Sequence, residues 1–475
     1  MVNISGIIKS IQNIMRQDKG LNGDAQRIEQ LGWMIFLKIF DDKDLEMELL
    51  KENYISPIPS DLQWHNWAKD DEGITGDELL EFINNKLFTQ LKNLPTIATN
   101  KRALLISEVF EGNNNYMKSG TLLRQVINKL NEIDFNSSED KHLFGDIYET
   151  ILKELQSAGN SGEFYTPRAI TQFITDMVSP KLGEIVFDPA CGTGGFLTSA
   201  IEHIRANEVK SIEDRKTLQS TIKGCELKPL PHMLALTNLI LHDIEVPDIV
   251  YDDALSKELT SIKQKDRVDV VLANPPFGGT VADGMETNFP TTYRTKESAD
   301  LFLILIIQYL KSHGRAGIVL PDGSLTGDGV KARIREKLLT DCNLHTIVRL
   351  PNSVFQPYAS VATNLLFFTK GTPTKEIWYY EHKLPTTQKA YSKTRPIKIS
   401  EFDTLKEWWA NREENEQAWR VDIKTIKDNG YNLDIKNPHK EEEEEMHSSA
   451  ELLNMLHNSF TKSNKLLNQL KKELV

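Results

Sequence analysis

Ile4, Ile7, Ile8, Ile11 and Ile14 fall on one face of a 3.6-residue repeat, the pattern of an amphipathic helix. Leu31 to Phe40 continues as a buried helix that ends in the acidic run Asp41, Asp42 and Asp44. Proline and tryptophan between Ile58 and Trp67 mark a loop. Leu143, Ile147, Ile151 and Leu155 then keep helical register over Asp140 to Gln156, before the Ser-Ala-Gly-Asn-Ser-Gly stretch at 157–162 breaks it as a loop. From about residue 180 short apolar runs alternate with helical ones. Strands are predicted at 184–188, 221–226, 268–273, 315–320, 344–350, 364–369 and 376–380, and helices at 196–205, 231–242, 301–313 and 331–339. Such alternation predicts an α/β domain built on a doubly wound, mostly parallel sheet with helices on both faces. Past about residue 400 the chain reads as polar and helical. Glu441 to Glu445 form a solvated run, and Leu453, Leu456, Phe460, Ser463, Leu467, Leu470 and Leu474 recur at spacings of three and four. That seam suits either packing within the chain or docking on partner helices. The expected organisation is a helical N-terminal domain at 1–155, the α/β domain at 156–400 and a helical C-terminal region at 401–475, with a candidate docking helix at 446–475.

Composition narrows the class. With 39% hydrophobic and 26% charged residues, the chain reads as an ordinary globular protein. Cys191, Cys225 and Cys342 form no CxxC or Cys/His pattern, which argues for a reducing compartment and no metal site. No signal-peptide pattern opens the chain, and no apolar run reaches the roughly 18 residues of a membrane span, so a cytoplasmic location is expected. The net charge of −12 is the wrong sign for a protein that grips nucleic acid unaided.

Three motifs carry the candidate chemistry. Asp188-Pro-Ala-Cys-Gly-Thr-Gly-Gly-Phe196 follows a strand and opens a helix; Gly192, Gly194 and Gly195 let the backbone turn tightly and approach a ligand. No P-loop lysine is present, which argues against a nucleoside triphosphate. Glu226 ends the next strand, where an acid suits hydrogen bonds to ribose hydroxyls, so a nucleoside-containing cofactor is expected. The second motif is Asn274-Pro-Pro-Phe277. Two prolines stiffen the strand end and fix the Asn274 side chain and the Pro275 carbonyl, both hydrogen-bond acceptors. Two acceptors on one amino group localise its lone pair. An exocyclic amine needs this, because its lone pair is delocalised into the ring. Phe277 offers a face on which a flipped base can stack. In the third motif, Gly162-Glu-Phe-Tyr-Thr-Pro-Arg168, Arg168 and Thr166 at a helix start suit a carboxylate such as that of S-adenosylmethionine.

In this order the motifs resemble the amino-group DNA methyltransferases of the gamma arrangement. Their wording (EFYTPR, FDPACGTGGFL, ANPPFG) resembles the modification subunit of type I restriction-modification systems over about residues 140–370. The resemblance implies the S-adenosylmethionine-dependent methyltransferase fold and transfer of a methyl group to the N6 amine of a flipped adenine in double-stranded DNA. It implies cofactor contacts from Glu163, Phe164, Tyr165, Thr166, Pro167 and Arg168, and from Ala190, Gly192, Thr193, Gly194 and Gly195. Asp188 would order the glycine loop and the methionine amino group, Glu226 would hold the ribose, and Asp253, or its neighbour Asp252, would sit near the cofactor's adenine. Asn274, Pro275, Pro276 and Phe277 would hold the target base, with Phe355 a candidate second wall. Two such subunits normally bind one specificity subunit that reads the sequence, and restriction subunits can join; such a partner would relieve the charge conflict.

Competing readings are weaker. Cytosine-C5 chemistry needs a thiolate, usually after proline, and here Ala190, Gly224 and Asp341 precede the cysteines. Cytosine-N4 enzymes typically carry Ser-Pro-Pro. Glutamine and RNA-guanine methyltransferases usually lack the helical N-terminus and the Phe-Tyr-Thr-Pro-Arg lead-in. A stand-alone adenine-N6 methyltransferase would need its own DNA-reading domain, for which residues 400–475 are short and acidic. A non-catalytic assembly protein would not need intact glycine and Asn-Pro-Pro-Phe motifs.

Overall fold

The computed structural model describes residues 4–95, 100–135, 166–356, 361–392 and 394–439, with scattered positions between 453 and 467. The chain divides into two units, Met1–Ile435 and Lys436–Val475. The first unit opens with helices α1 (Ile4–Met15), α2 (Asp24–Leu50), α3 (Trp64–Trp67), α4 (Gly76–Glu81), α5 (Phe88–Lys92), α6 (Lys101–Glu111) and α7 (Gly120–Asn131). The helix expected over 140–156 and the loop at 157–162 lie outside the described residues.

Two expectations in this region are corrected. Helix α2 does not end at the acidic run but continues to Leu50. The acids are tolerated because tertiary partners satisfy them. Asp41 accepts the His65 backbone N–H at 3.0 Å, and Asp44 accepts from Arg102 at 2.5 Å and Tyr54 at 2.7 Å. The stretch Ile58 to Trp67 is also not all loop, since it holds a 3-10 turn and the single helical turn α3.

The α/β part is a nine-stranded mixed sheet of order β3-β2-β1-β4-β5-β7-β6-β8-β9. Its strands are β1 (Val186–Asp188), β2 (Ile222–Glu226), β3 (Asp248–Tyr251), β4 (Val268–Ala273), β5 (Leu310–Pro321), β6 (Cys342–Arg349), β7 (Thr363–Lys370), β8 (Glu376–Glu381) and β9 (Ala418–Asp422). Strands β3, β2, β1, β4 and β5 pair in parallel, whereas β7 is antiparallel to both β5 and β6. Strand β9 pairs antiparallel with β8, so the stretch past residue 400 is not wholly helical. Its Trp419 stacks on Tyr379 at 5.3 Å, an apolar anchor inside a polar segment.

Helices α8 (Arg168–Val178), α9 (Gly195–Asn207), α10 (Ile212–Thr221) and α11 (Pro229–Leu241) precede β4; α12 (Ser298–Tyr309), α13 (Asp322–Leu325), α14 (Val330–Asp341), α15 (Asp403–Ala410) and α16 (Ile423–Asp428) follow it. One apolar core joins α8, α9 and α11 to the N-terminal helices, and a second lies under α12 and α14. The N-terminal helices are also tied to the turn after α11. Lys43 pairs with Asp243 at 2.8 Å, Lys51 with Glu245 at 2.6 Å, and Arg102 donates to the Glu245 carbonyl at 2.6 Å. In the second unit the described positions between 453 and 467 are helical, with Leu453, Leu456, Phe460 and Leu467 exposed; Leu470 and Leu474 of the expected seam lie outside the described residues. Among the described residues no helix is long and apolar enough to cross a membrane.

Strand order reverses between β1 and β4, and ligands of open α/β sheets bind at the carboxyl ends of strands at such a point. Helix α8 reaches this point because β5 carries Gly317 beneath it. A methyl group there would overlap Ile174 and lie 2.7 Å from Val178 Cγ2. Gly317→Ala should therefore lift α8 and destabilise the chain by about 1–3 kcal/mol in denaturant titration; an unchanged midpoint would show that the packing is looser.

Candidate active site

The register pairs Asp188 with Gly224, so Asp188 and Glu226 stand at the carboxyl ends of adjacent strands. Both carboxyls are buried. The glycine loop wraps them. Asp188 Oδ1 accepts the Ala190 N–H at 3.1 Å, and Glu226 accepts the Gly192 N–H at 2.9 Å and the Lys228 N–H at 2.8 Å. Gly194 has φ 81°, a left-handed conformation that a side chain would strain, and a methyl there would sit 3.1 Å from Leu239 on α11. From that same helix Asn238 Nδ2 donates to the Thr193 carbonyl at 3.0 Å.

A cavity of about 380 Å³ opens above this loop. It is lined by the expected residues Thr166, Arg168, Asp188, Ala190, Gly192, Thr193, Gly195, Glu226, Asp253 and Asn274. Asp252 and Pro276 line it as well. Gly194 instead faces α11, Pro167 caps α8, and Pro275 is buried. Glu163, Phe164 and Tyr165 lie outside the described residues. Arg168 already pairs with a protein carboxylate, Glu202 of α9. Burial opposes the charge on Glu202, but His242 and Arg168 outweigh it and hold the carboxyl down at about 2. The two neighbouring acids after β3 differ in what they hold. Asp252 accepts from the Asp253 N–H at 2.8 Å and faces Lys257 at 3.8 Å, while Asp253 Oδ1 accepts the Leu255 N–H at 2.8 Å.

Asn274 follows β4, on the other side of the reversal point. Its Nδ2 donates to Thr166 Oγ1 at 2.9 Å. Its Oδ1 is out of contact with water and has no partner among the described residues. An acceptor of this kind costs free energy until a donor reaches it. Ser298 holds the next turn by donating to the Pro276 carbonyl at 3.0 Å. Phe277 meets the buried ring of Phe355 edge to face, 5.9 Å between centroids. The cysteines offer no thiolate: burial pushes Cys225 up to about 12 and raises Cys191, which lines the cavity.

Sequence reasoning missed four contributors: Asn238, Ser298, Leu227 and Phe302. Leu227 is an exposed apolar residue directly after Glu226, and with Phe302 it gives the cavity an apolar wall. In the sequence Leu227 shows only as a leucine directly after the strand-end acid Glu226. Asn238 gave a weaker one, a polar residue within the apolar run Leu234 to Leu241.

Residues 139–447 match the N-6 DNA methylase family, and residues 4–130 match the HsdM N-terminal domain. The chain is 55% identical over 479 residues to the methylase subunit of the type I restriction enzyme EcoEI of Escherichia coli, covering 99% of this chain and 97% of that one. It belongs to the methylase subunits of type I restriction enzymes. Against the EcoKI methylase subunit of E. coli strain K12 the identity is 30%, covering 78% of this chain and 69% of the relative. A modification subunit assigned to a type I restriction enzyme of Vibrio vulnificus YJ016 superimposes with a TM-score of 0.84 at 44% identity, covering 92% and 97% of the two chains. A chain from a structure addressing assembly and conformational transition of a type I system gives a TM-score of 0.82 at 34% identity, covering 100% and 98%. The methylase subunit is thus an adenine-N6 DNA methyltransferase with a helical N-terminal domain and the methyltransferase fold.

Burial, assisted by the nearby charge of Glu226, raises Asp188 from 3.8 to about 8. The unfolded chain loses this proton near the ordinary value and the fold holds it up to about 8. Between those values the folded state binds more protons, so the Asp188 contribution to stability falls as pH rises. Asp188→Asn should raise the melting temperature of the ligand-free subunit at about pH 8.5, with a smaller gain at about pH 5. A difference independent of pH would contradict the assignment.

Proposed function

We propose that this methylase subunit binds S-adenosylmethionine in the cavity above the glycine loop and presents it to an adenine held by Asn274, Pro275, Pro276 and Phe277. The fit rests on the chemistry of the donor set. Asp188 is a carboxyl stripped of water, suited to an ammonium, and Glu226 keeps acceptor capacity for ribose hydroxyls at the next strand end. Asp253 is the better candidate for the adenine end, because Asp252 is occupied by its neighbours. Thr166, Ala190, Gly192, Thr193 and Gly195 line the path between them, Gly194 and Pro167 set the backbone that carries them, and Arg168 shares its charge with Glu202. S-adenosylmethionine supplies, when bound, a methyl carbon on a sulfonium leaving group.

The observation that carries the reading is the buried Oδ1 of Asn274, which has no partner among the described residues, on a residue that lines that cavity. Together with the Pro275 carbonyl it accepts the two amine hydrogens, which concentrates the nitrogen lone pair where the bond must form. Phe277 stacks on the flipped base, and Phe355, whose ring meets Phe277 edge to face, is the candidate second wall.

Double-stranded DNA reaches the site with the help of a specificity subunit. The net charge of −12 and the assembly context of the second structural relative support that partnership. Two methylase subunits per specificity subunit, an optional restriction subunit and a cytoplasmic setting complete the reading, with the helix expected at 446–475 as the docking element; its Leu453, Leu456, Phe460 and Leu467 are exposed.

Methyl transfer from labelled donor should yield N6-methyladenine when the specificity subunit is present. Asn274→Ala should lower kcat by about 10²–10³-fold with the fold intact. Wild-type turnover by that variant would sink the reading, and sequence-specific transfer by the subunit alone would favour a stand-alone enzyme.

A further inference from the structure

We propose that Thr166 sets which end of the Asn274 amide faces the target base, and that it does so when the methyl donor is bound. The proposal rests on the reading of Asn274 as acceptor for the adenine amine. An asparagine amide is nearly symmetric in shape but not in chemistry: one end accepts, the other donates twice. Turned the wrong way, Asn274 would set its NH₂ against the NH₂ of adenine. Nothing in the Asn-Pro-Pro-Phe backbone decides between the two orientations, because rotation of the amide leaves the main chain unchanged.

The structure shows the group that decides. Asn274 Nδ2 donates to Thr166 Oγ1 at 2.9 Å, while Oδ1 is buried and has no partner among the described residues. The two residues come from distant stretches of the chain, one at the start of α8 and one at the end of β4, and both line the cavity. A threonine hydroxyl alone is an incomplete switch, since it can accept from an amide NH₂ or donate to an amide oxygen. It becomes selective once its own hydrogen is committed. Thr166 lines the cavity next to Arg168, where an anionic group of the donor would sit. An anion there accepts the Thr166 O–H and leaves the hydroxyl only its lone pairs for Asn274. The amide is then held with Nδ2 on Thr166 and Oδ1 toward the base. Donor binding and recognition of the adenine amine are thereby linked through one hydroxyl, and the linkage is reciprocal.

The test uses the full-length subunit assembled with its specificity subunit, S-adenosylhomocysteine as the donor analogue, and two duplexes. One carries adenine at the target position and the other carries purine, which lacks the amine. In the wild type the analogue should increase the preference for adenine over purine by at least about threefold, a modest coupling for one hydrogen bond. Thr166→Val should erase that increase and lower kcat by at least about tenfold, whereas Thr166→Ser, which keeps the hydroxyl, should stay within about threefold of wild type on both counts. Thr166→Ala repeats the loss without the added methyl group, so misfolding of one variant leaves the other informative. Wild-type preference and kcat in both hydroxyl-less variants would overturn the proposal. So would a loss confined to analogue affinity, which would make Thr166 a donor contact only. Full turnover by Asn274→Ala would instead remove the reading beneath it, a separate result.

Discussion

Two carboxyls held out of water at adjacent strand ends dictate much of what surrounds them. Asp188 and Glu226 end β1 and β2, and neither is exposed. Burying acids is costly unless hydrogen bonds or an opposite charge offset it. The glycine loop supplies part of the compensation through the N–H groups of Ala190 and Gly192. To do so it must turn tightly, and it is held in that turn from behind by Asn238 and Leu239 of α11. Helix α11 in turn is held by the N-terminal helices, through a shared core and the Lys43–Asp243 pair. The helical domain is thus mechanically continuous with the glycine loop. Burial then keeps a proton on Asp188 up to about 8, and on the proposed reading the ammonium of the methyl donor takes over that compensation when it binds.

On the other side of the reversal point the constraint is rigidity rather than charge. Asn274 and the prolines after it are fixed by Ser298 on the Pro276 carbonyl and by Thr166 on the Asn274 amide. On the proposed reading the donor site and the acceptor site therefore hang on neighbouring strands, β1 and β4, of one sheet. Direct displacement at a methyl carbon requires two reactants held in line, and a shared rigid scaffold supplies that alignment.

Much of this was legible in the sequence because it depends on local rules. The strand-turn-helix at Asp188 to Phe196, the acid at Glu226 and the Asn-Pro-Pro-Phe turn each declare themselves through residue type and the change of period around them. The seven strands read from the pattern are present in the sheet, with boundaries shifted by a few residues. Strand β3 escapes the pattern because a four-residue edge strand with one buried side chain, Ile249, carries little periodicity, and α10 because Ile212–Thr221 is mostly polar. The acidic run in α2 has the local pattern of a helix end, since nothing local foretells Arg102, Tyr54 and His65 as distant partners. Asn238 and Ser298 escaped notice for the same reason: their roles exist only between segments far apart in the chain. The hydrogen bond from Asn274 to Thr166 likewise joins two motifs that the sequence shows only separately.

The most direct test of the account is a structure of the assembled subunit with duplex DNA and a donor analogue. The account predicts the target adenine out of the stack, its amine within hydrogen-bonding distance of Asn274 Oδ1, and the analogue's amino group against Asp188. An amine that meets neither Asn274 nor the Pro275 carbonyl, or an analogue seated away from Asp188 and Glu226, would contradict it.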